Sequence, residues 1–390
     1  MIPVSEALSR LFALVTPLDR EQVDLRQAAG RVLALDATST LTQPPFAAAI
    51  MDGYAVRNGE VHARARWTVV GEAAAGHDYS GTLQPGTAVR IFTGAPMPEG
   101  ADRVIIQEDV DRDGTVITLR DGFDTAIYVR PKGADFAAGD RIAAPRRLRP
   151  SDIALLAAMN VPTVTVFRRP VVAILATGDE LVQPGETPGP SQIVASNSYG
   201  LAAMVEAEGG IARMLPIARD TASSLRLAFD LAKGADLVLT IGGASVGDYD
   251  LVGQVAGDLG MEQSFYKVAM RPGKPLMAGR LGTAAMIGLP GNPVSAMVCG
   301  TVFVTPVLRA MQGLPAEPAA RTVGVLGHDI GANGPREHYM RARRTPAGLE
   351  VFGSQDSALL GVLAAADCLV VRPPKDPARL AGEPVDYIPL

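Results

Sequence analysis

Apolar residues recur every three or four positions near the start of the chain, at Val4, Leu8, Leu11, Phe12 and Val15. That spacing predicts an amphipathic helix over residues 4–16. Beyond residue 41 the rhythm shortens. Trp67-Thr-Val-Val70, Ala88-Val-Arg-Ile-Phe92, Arg103-Val-Ile-Ile106 and Thr115-Val-Ile-Thr-Leu119 are brief apolar runs divided by glycine- and proline-rich turns. Asp113-Gly114 between two such runs is a hairpin signal, so residues 41–140 predict a small β-rich domain. Ser151-Asp-Ile-Ala-Leu-Leu-Ala-Ala-Met159 predicts a helix capped by Ser151 or Asp152 and packed on the N-terminal helix.

From Arg169 strands alternate with helices. Val171–Ala176, Leu237–Ile241 and Thr283–Gly288 read as buried strands, with Met214–Ile217 as a shorter one. Ser198–Glu208, closed by Gly209-Gly210, and Ser223–Lys233, ended by Gly234, read as helices. Pro293–Met311 reads as a long apolar helix. Near-continuous apolar strands alternating with helices predict a parallel, doubly wound sheet. Residues 317–390 return to short β runs at Thr322–Leu326, Leu349–Phe352 and Cys368–Val371, a C-terminal β domain.

Composition narrows the class. A chain of 390 residues exceeds one compact core, so several domains are expected. Aromatics are only 5%, and 36 Lys plus Arg stand against 41 Asp plus Glu; few stacking platforms and a net charge of -5 exclude a nucleic-acid footprint. Cys299 and Cys368 are too far apart for a zinc knuckle and form no disulfide framework, which fits buried thiols in a reducing compartment. The opening Met1-Ile-Pro-Val-Ser-Glu-Ala-Leu8 lacks the basic and apolar regions of a secretory leader. No stretch reaches the roughly 20 uninterrupted apolar residues of a membrane span. A cytoplasmic protein without a membrane partner is the expectation.

The chemistry gathers in loops that follow strands. In a doubly wound sheet, ligands lie beyond the strands' carboxyl ends. Strand 171–176 leads into Thr177-Gly-Asp-Glu-Leu181. Strand 237–241 leads into Gly242-Gly-Ala-Ser-Val-Gly-Asp-Tyr-Asp250. The last leads into Leu289-Pro-Gly-Asn-Pro-Val-Ser295, and Tyr266-Lys-Val-Ala-Met-Arg-Pro-Gly-Lys-Pro275 brings Lys267, Arg271 and Lys274. Glycines let backbone amides approach a phosphate, while Asp248 and Asp250 can hold a bridging cation. Plainer readings stand beside these. Glu180 also suits a turn cap, Asp220 an N-cap, Lys267 a solvated strand edge, and Pro290 and Pro293 the stops and starts of elements. His62, His77, His328 and His338 show no ligand spacing. No nucleophile elbow and no Gly-x-Gly-x-x-Gly after an early strand are present.

Six ordered motifs jointly resemble the molybdopterin molybdenumtransferases, the MoeA family, similar to the E domain of gephyrin. They are Met51-Asp-Gly-Tyr-Ala55, Phe92-Thr-Gly-Ala-Pro96, Ala176-Thr-Gly-Asp-Glu-Leu181, Gly242–Asp250, Arg271-Pro-Gly-Lys-Pro275 and Gly288-Leu-Pro-Gly-Asn-Pro-Val-Ser-Ala296. The resemblance implies an α/β and β multidomain homodimer. A doubly wound, MogA-like α/β domain (169–316) is flanked by a β-rich insertion (46–140), a mixed N-terminal domain (1–45 plus 141–168) and a C-terminal β-barrel (317–390). It implies insertion of molybdate into adenylylated molybdopterin, with release of AMP, Mg2+ as the divalent ion, and a cleft shared between protomers. Molybdopterin adenylyltransferase and apo-molybdoenzymes or their chaperones are the implied partners.

Residue by residue, the resemblance assigns catalytic roles to Asp52, Asp135, Glu180, Asp220, Asp250 and Lys267, with Glu180, Asp220 and Asp250 as the metal set. Thr93, Gly243, Ser245, Gly247, Asp248, Arg271, Lys274, Pro290, Pro293, Arg341 and Ser357 become substrate contacts. Two departures stand out. Ala47, Ala48 and Ala49 replace a polar trio common in the family, and Asp356 stands where glycine is common. A carrier or scaffold without turnover, a tungsten-inserting or otherwise specialised paralogue, and an enzyme of the preceding adenylylation step are the competing readings. The intact acidic set argues against the scaffold, and the flanking β domains argue against the adenylylation enzyme.

Overall fold

The structure is a computed structural model that describes residues 1–243 and 251–390. Its central sheet has six strands, in the order Ile211–Met214, Val171–Ala176, Leu237–Ile241, Ala284–Leu289, Met277–Leu281 and Glu262–Tyr266. The first four are mutually parallel; Met277–Leu281 runs against them, and Glu262–Tyr266, antiparallel to it in turn, closes the edge. The expected all-parallel sheet is therefore mixed. The segment 277–281 reaches its neighbour through the short turn at Gly282 rather than through a helix, so antiparallel pairing is its only geometry.

The three central strands, 171–176, 237–241 and 284–289, are almost wholly apolar and buried because both faces are covered. Val172, Ile174, Leu239, Ile241 and Ile287 face one core, with helices Asn197–Ala207 and Pro293–Met311. Ala173, Leu175, Val238 and Met286 face the other, with helices Ala222–Leu231 and Leu251–Asp258. The sheet is thus doubly wound. The run Pro293–Met311 is long and apolar enough to span a membrane, but 83% of its most apolar window is buried. It is a core helix, with a π segment at Gly300–Val304 between two α segments.

The N-terminal helix Val4–Phe12 sends Val4, Ala7, Leu8 and Leu11 into the first of these cores. Val4, Leu8 and Leu11 each contribute roughly 1.5–3 kcal/mol on burial. The helix does not pack with residues 151–159 as expected. That second helix, Pro150–Ala158, joins a separate core with Ala28, Leu33 and Val166. Its cap also differs. Pro150 opens the helix, and Asp152 sits one turn in, accepting from the Arg149 amide at 2.8 Å and pairing with Arg146. A buried carboxylate among arginines replaces the simple serine or aspartate cap.

The insertion carries a six-stranded sheet ordered 103–106, 53–56, 87–91, 66–73, 116–119 and 110–113. The Asp113-Gly114 hairpin is present, Gly114 taking φ 58°. In the C-terminal unit, strands Thr322–Val325, Glu337–Thr345, Gly348–Val351, Cys368–Arg372 and Pro384–Pro389 form one sheet. It closes on itself where Leu326 bridges Leu349, around a core of Leu326, Ala342, Leu349, Val370 and Val385. Closure makes it a small barrel. A two-residue strand from the α/β unit, Met270–Arg271, adds to it in parallel, placing Arg271 opposite His338.

Candidate active site

Three parallel strands end side by side, and the chain turns outward from each at Thr177, Gly242 and Pro290. The turns bind one another: the Thr177 amide donates to Ile241 at 3.1 Å, and the Gly242 amide to Leu289 at 3.2 Å. Gly243 has φ 66°, and a Cβ there would lie 2.2 Å from Val252. Only glycine lets this turn leave the strand so close to the next helix.

These turns border a cleft of about 860 Å³. Glu180, Asp220, Gly243, Pro290 and Pro293 all line it, with Asn197 and Asn292, which the sequence reading did not single out. Asp220 reaches the cleft because residues 218–220 run beside strand 171–176, with Ala218 bridging Thr177. Its carboxylate accepts from the Thr177 hydroxyl at 2.8 Å. Helix 222–231 is capped instead by Thr221, whose hydroxyl accepts from the Ser224 amide at 3.3 Å. The N-cap reading of Asp220 is therefore corrected: Thr221 caps the helix, and the Asp220 carboxylate turns to Thr177 at the cleft. Glu180 stands exposed over Gly178, where φ is 151° and a Cβ would collide with the Glu180 carboxylate at 2.4 Å.

Asn197 starts the helix that closes one wall and donates to the Gly291 carbonyl at 2.7 Å. Asn292 donates to the Ser357 hydroxyl at 3.1 Å, and the Val294 amide to the Ser357 carbonyl at 3.0 Å. Ser357 thus meets the cleft from the barrel side, next to lining residue Ala358. The sequence signals for the asparagines were the Ser196-Asn197-Ser198 cluster at a helix start and the Pro-Gly-Asn-Pro turn.

The cations lie beyond that rim. Arg341 is fully buried, donates from Nη2 to the Asp356 carbonyl at 2.9 Å, and is latched through its backbone by Gln355. Among the described residues its Nε and Nη1 have no hydrogen-bond partner. Burial and the charge of Arg271 push its pKa down, while Asp356 pushes the other way. Asp356, one of the two departures, therefore also faces Arg341. Arg271 and Lys274 are exposed on the loop that runs to Pro275, a lining residue. Lys267 does not line the cleft, nor does it lie in a strand. It follows strand 262–266 with φ 69°, its carbonyl accepting from Ile2 and its ammonium 5.0 Å from the Tyr266 ring.

In the insertion, Asp52 accepts from the amide and the hydroxyl of Thr93, each at 2.8 Å. Those bonds, and then Arg90, hold its carboxyl below the usual range. Asp135 donates its amide to Gln43 at 3.0 Å. None of Asp52, Thr93 and Asp135 lines this chain's own cleft. Ala48 and Ala49 are buried, and the Ala49 amide donates to Ala95 at 3.0 Å, so apolar side chains fit where the polar trio is common. Ser245, Gly247, Asp248 and Asp250 lie outside the described residues.

A doubly wound core with two carboxylates lining the cleft over its carboxyl edge, a β-rich unit before it and a barrel after it, defines a multidomain α/β and β protein whose strand ends suit an anionic ligand. The family profile described as "Probable molybdopterin binding domain" matches residues 173–310. "MoeA N-terminal region (domain I and II)" matches 2–160, and "MoeA C-terminal region (domain IV)" matches 323–390. The molybdopterin molybdenumtransferase of Nostoc sp. is 39% identical over 96% of this chain and 90% of its own length. That of Haemophilus influenzae is 33% identical over 100% and 99%. The crystal structure of the molybdopterin biosynthesis moeA protein from Pyrococcus horikoshii OT3 superposes with a TM-score of 0.85 at 29% identity, covering 100% of both chains. The chain belongs to the molybdopterin molybdenumtransferase family, MoeA.

Proposed function

We propose that the cleft takes adenylylated molybdopterin with molybdate, moves the metal onto the dithiolene, and releases AMP in molybdenum cofactor biosynthesis. One observation carries this reading: Glu180 and Asp220, from separate turns, line one cleft beside exposed backbone and two asparagines. That arrangement suits a phosphate-bearing ligand with a divalent cation.

The donor chemistry fits Mg2+. Among the described residues no group of three His, Cys, Asp or Glu assembles around one point, and the cleft offers oxygen donors only. Mg2+ is typically held by one or two carboxylates, waters and substrate phosphate. Glu180 and Asp220, joined by Asp250, would hold it, and the ion would neutralise charge developing on the phosphoanhydride. Arg271, Lys274 and Arg341, with the Ser357 hydroxyl, would seat the tetrahedral molybdate dianion through charge-assisted hydrogen bonds. Gly243, Ser245, Gly247 and Asp248 would approach the substrate phosphates, with Pro290 and Pro293 shaping the wall. Lys267 sits at the far end of the same loop as Arg271 and would act from there.

A homodimer completes the reading, with Asp52, Thr93 and Asp135 of one protomer facing the α/β cleft of its partner. The apolar surface around Asp52 supports that docking: Phe46, Ile50, Met51 and Ile127 are all exposed. A cytoplasmic adenylyltransferase would supply the substrate, and apo-molybdoenzymes or their chaperones would receive the product.

The test is AMP release from adenylylated molybdopterin with molybdate and Mg2+. Wild-type protein is expected to release AMP, and Glu180→Ala and Asp250→Ala to lower the rate by about 100-fold or more. Unchanged release in both variants would overturn the metal-site assignment. Product formation from ATP and unadenylylated molybdopterin would assign the preceding step instead.

A further inference from the structure

Asp52 leads into strand 53–56, and Thr93 follows strand 87–91. The two strands pair antiparallel, with Tyr54 opposite Arg90 and Gly53 opposite Ile91. Residues directly opposite share a face of the sheet. The half-buried Arg90 uses that face: its guanidinium carbon lies 5.1 Å from the centre of the Tyr54 ring and 4.6 Å from that of Phe92.

Both terminal nitrogens are engaged as well. Nη1 donates to the Gly53 carbonyl at 3.2 Å, and Nη2 to Oε1 of Gln107 at 2.6 Å. The Gln107 amide in turn donates to the Asp52 carbonyl at 3.1 Å. Arg90 and Gln107 therefore grip two successive carbonyls, those of Asp52 and Gly53. A Cβ at Gly53 would lie 1.9 Å from the Ile105 carbonyl oxygen, so this step of backbone is also pressed against the next strand. Phe92, whose ring Arg90 covers, immediately precedes Thr93, and Thr93 donates its amide and hydroxyl to the Asp52 carboxylate. One guanidinium thus fixes the residue after Asp52 and the residue before Thr93. Joining the strands needs neither charge nor fork: the next pair along, Ala55 and Val89, is wholly buried and apolar. A planar guanidinium suits the further task, since it can stack on rings while donating to two fixed acceptors.

We infer that Arg90 is a positioning residue, holding Asp52 and Thr93 in one register so that the acid meets the partner's cleft already aimed. This rests on the dimeric reading above, in which Asp52 serves the partner's reaction, and adds the residue that orients it. Arg90 acts through Asp52 and touches no substrate itself.

The variant is Arg90→Met in the full-length protein, which keeps an apolar stem between the rings and removes the charge and both donors. It is expected to lower kcat for AMP release about tenfold or more, with KM for adenylylated molybdopterin within about twofold of wild type. Added to Asp52→Ala, it is expected to change kcat by less than about twofold, because the group it aims is already gone. After subunit exchange with Glu180→Ala chains it should recover about one quarter of wild-type release, and with Asp52→Ala chains none. Thermal melts identify any loss caused by unfolding. Gln107→Ala, at an exposed position, then reports the latch alone and is expected to lower kcat about threefold. Wild-type kcat in Arg90→Met or in Gln107→Ala, a loss confined to KM, or a further tenfold loss on the Asp52→Ala background would overturn the inference. Unchanged release in Asp52→Ala, or no recovery when it is exchanged with Glu180→Ala, would instead sink the reading of Asp52 beneath it. A fall in Asp52→Ala beside wild-type kcat in Arg90→Met sinks only the role of Arg90.

Discussion

Asp220 and Thr221 are neighbours with different work. Thr221 closes the start of helix 222–231, and Asp220 looks into the cleft while holding the Thr177 hydroxyl. An N-cap contributes about 1 kcal/mol, whereas an exposed carboxylate outside the helix contributes little to stability. Thr221→Ala is therefore expected to lower unfolding free energy by about 1 kcal/mol with modest effect on AMP release. Asp220→Ala is expected to leave the urea midpoint within about 0.5 kcal/mol of wild type while activity falls steeply. A loss of about 1 kcal/mol in Asp220→Ala, with the Thr221→Ala melt unchanged, would restore the capping role to Asp220. The sequence offers Asp-Thr before an apolar run, and either residue satisfies the capping rule. The choice belongs to the parallel pairing of 218 with 177, a contact between segments about 40 residues apart.

The barrel's last hairpin is tied by an ion cluster. Asp376, with its side chain 5% exposed, bonds Arg379 at 2.8 and 3.0 Å and also pairs with Arg372. Arg379 first, then Arg372, holds its carboxyl below the usual range against the opposing cost of burial. A depressed folded value means that the stabilisation is present above the ordinary carboxylate pKa and is lost as pH falls through the folded one. Asp376→Asn strands two arginines and is expected to cost about 3–5 kcal/mol near pH 7. The difference from wild type should shrink once pH drops below about 4, as read by urea melts across pH. A constant difference from pH 7 to pH 3 would exclude the linkage. At this level much was readable. Strands 171–176, 237–241 and 103–106 fall where the apolar runs lie, because burial on both faces removes the polar positions that would blur their ends. The strand 337–345 escaped notice because it alternates between the barrel core and the α/β core, His338 and Tyr339 facing different sides, with arginines throughout. The helix 150–158 was found but its partner was not, since an apolar stripe does not name the surface it will meet.

The cleft is one half of a site in the dimeric reading. Acids from the α/β unit line it, and Asp52 and Thr93 stand on the insertion, away from this chain's own cleft. If partner protomers complete each other, mixing Asp52→Ala and Glu180→Ala chains should rebuild one intact cleft per heterodimer. After subunit exchange about one quarter of wild-type AMP release is expected from two inactive parents, measured against each alone. No recovery at full exchange would place all the chemistry within a single chain. Local order along the polymer was enough to reveal the family, the succession of β-rich, α/β and β units, and the loops carrying glycine and carboxylate, because periodicity and turn chemistry act between near neighbours. Which charges meet was decided by packing. Strand order brought Glu180 and Asp220 to one cleft and left Lys267 off its lining, and a strand lent from the α/β unit to the barrel set Arg271 against His338. Those encounters depend on the closing of long loops, whose energetics no short window of residues contains.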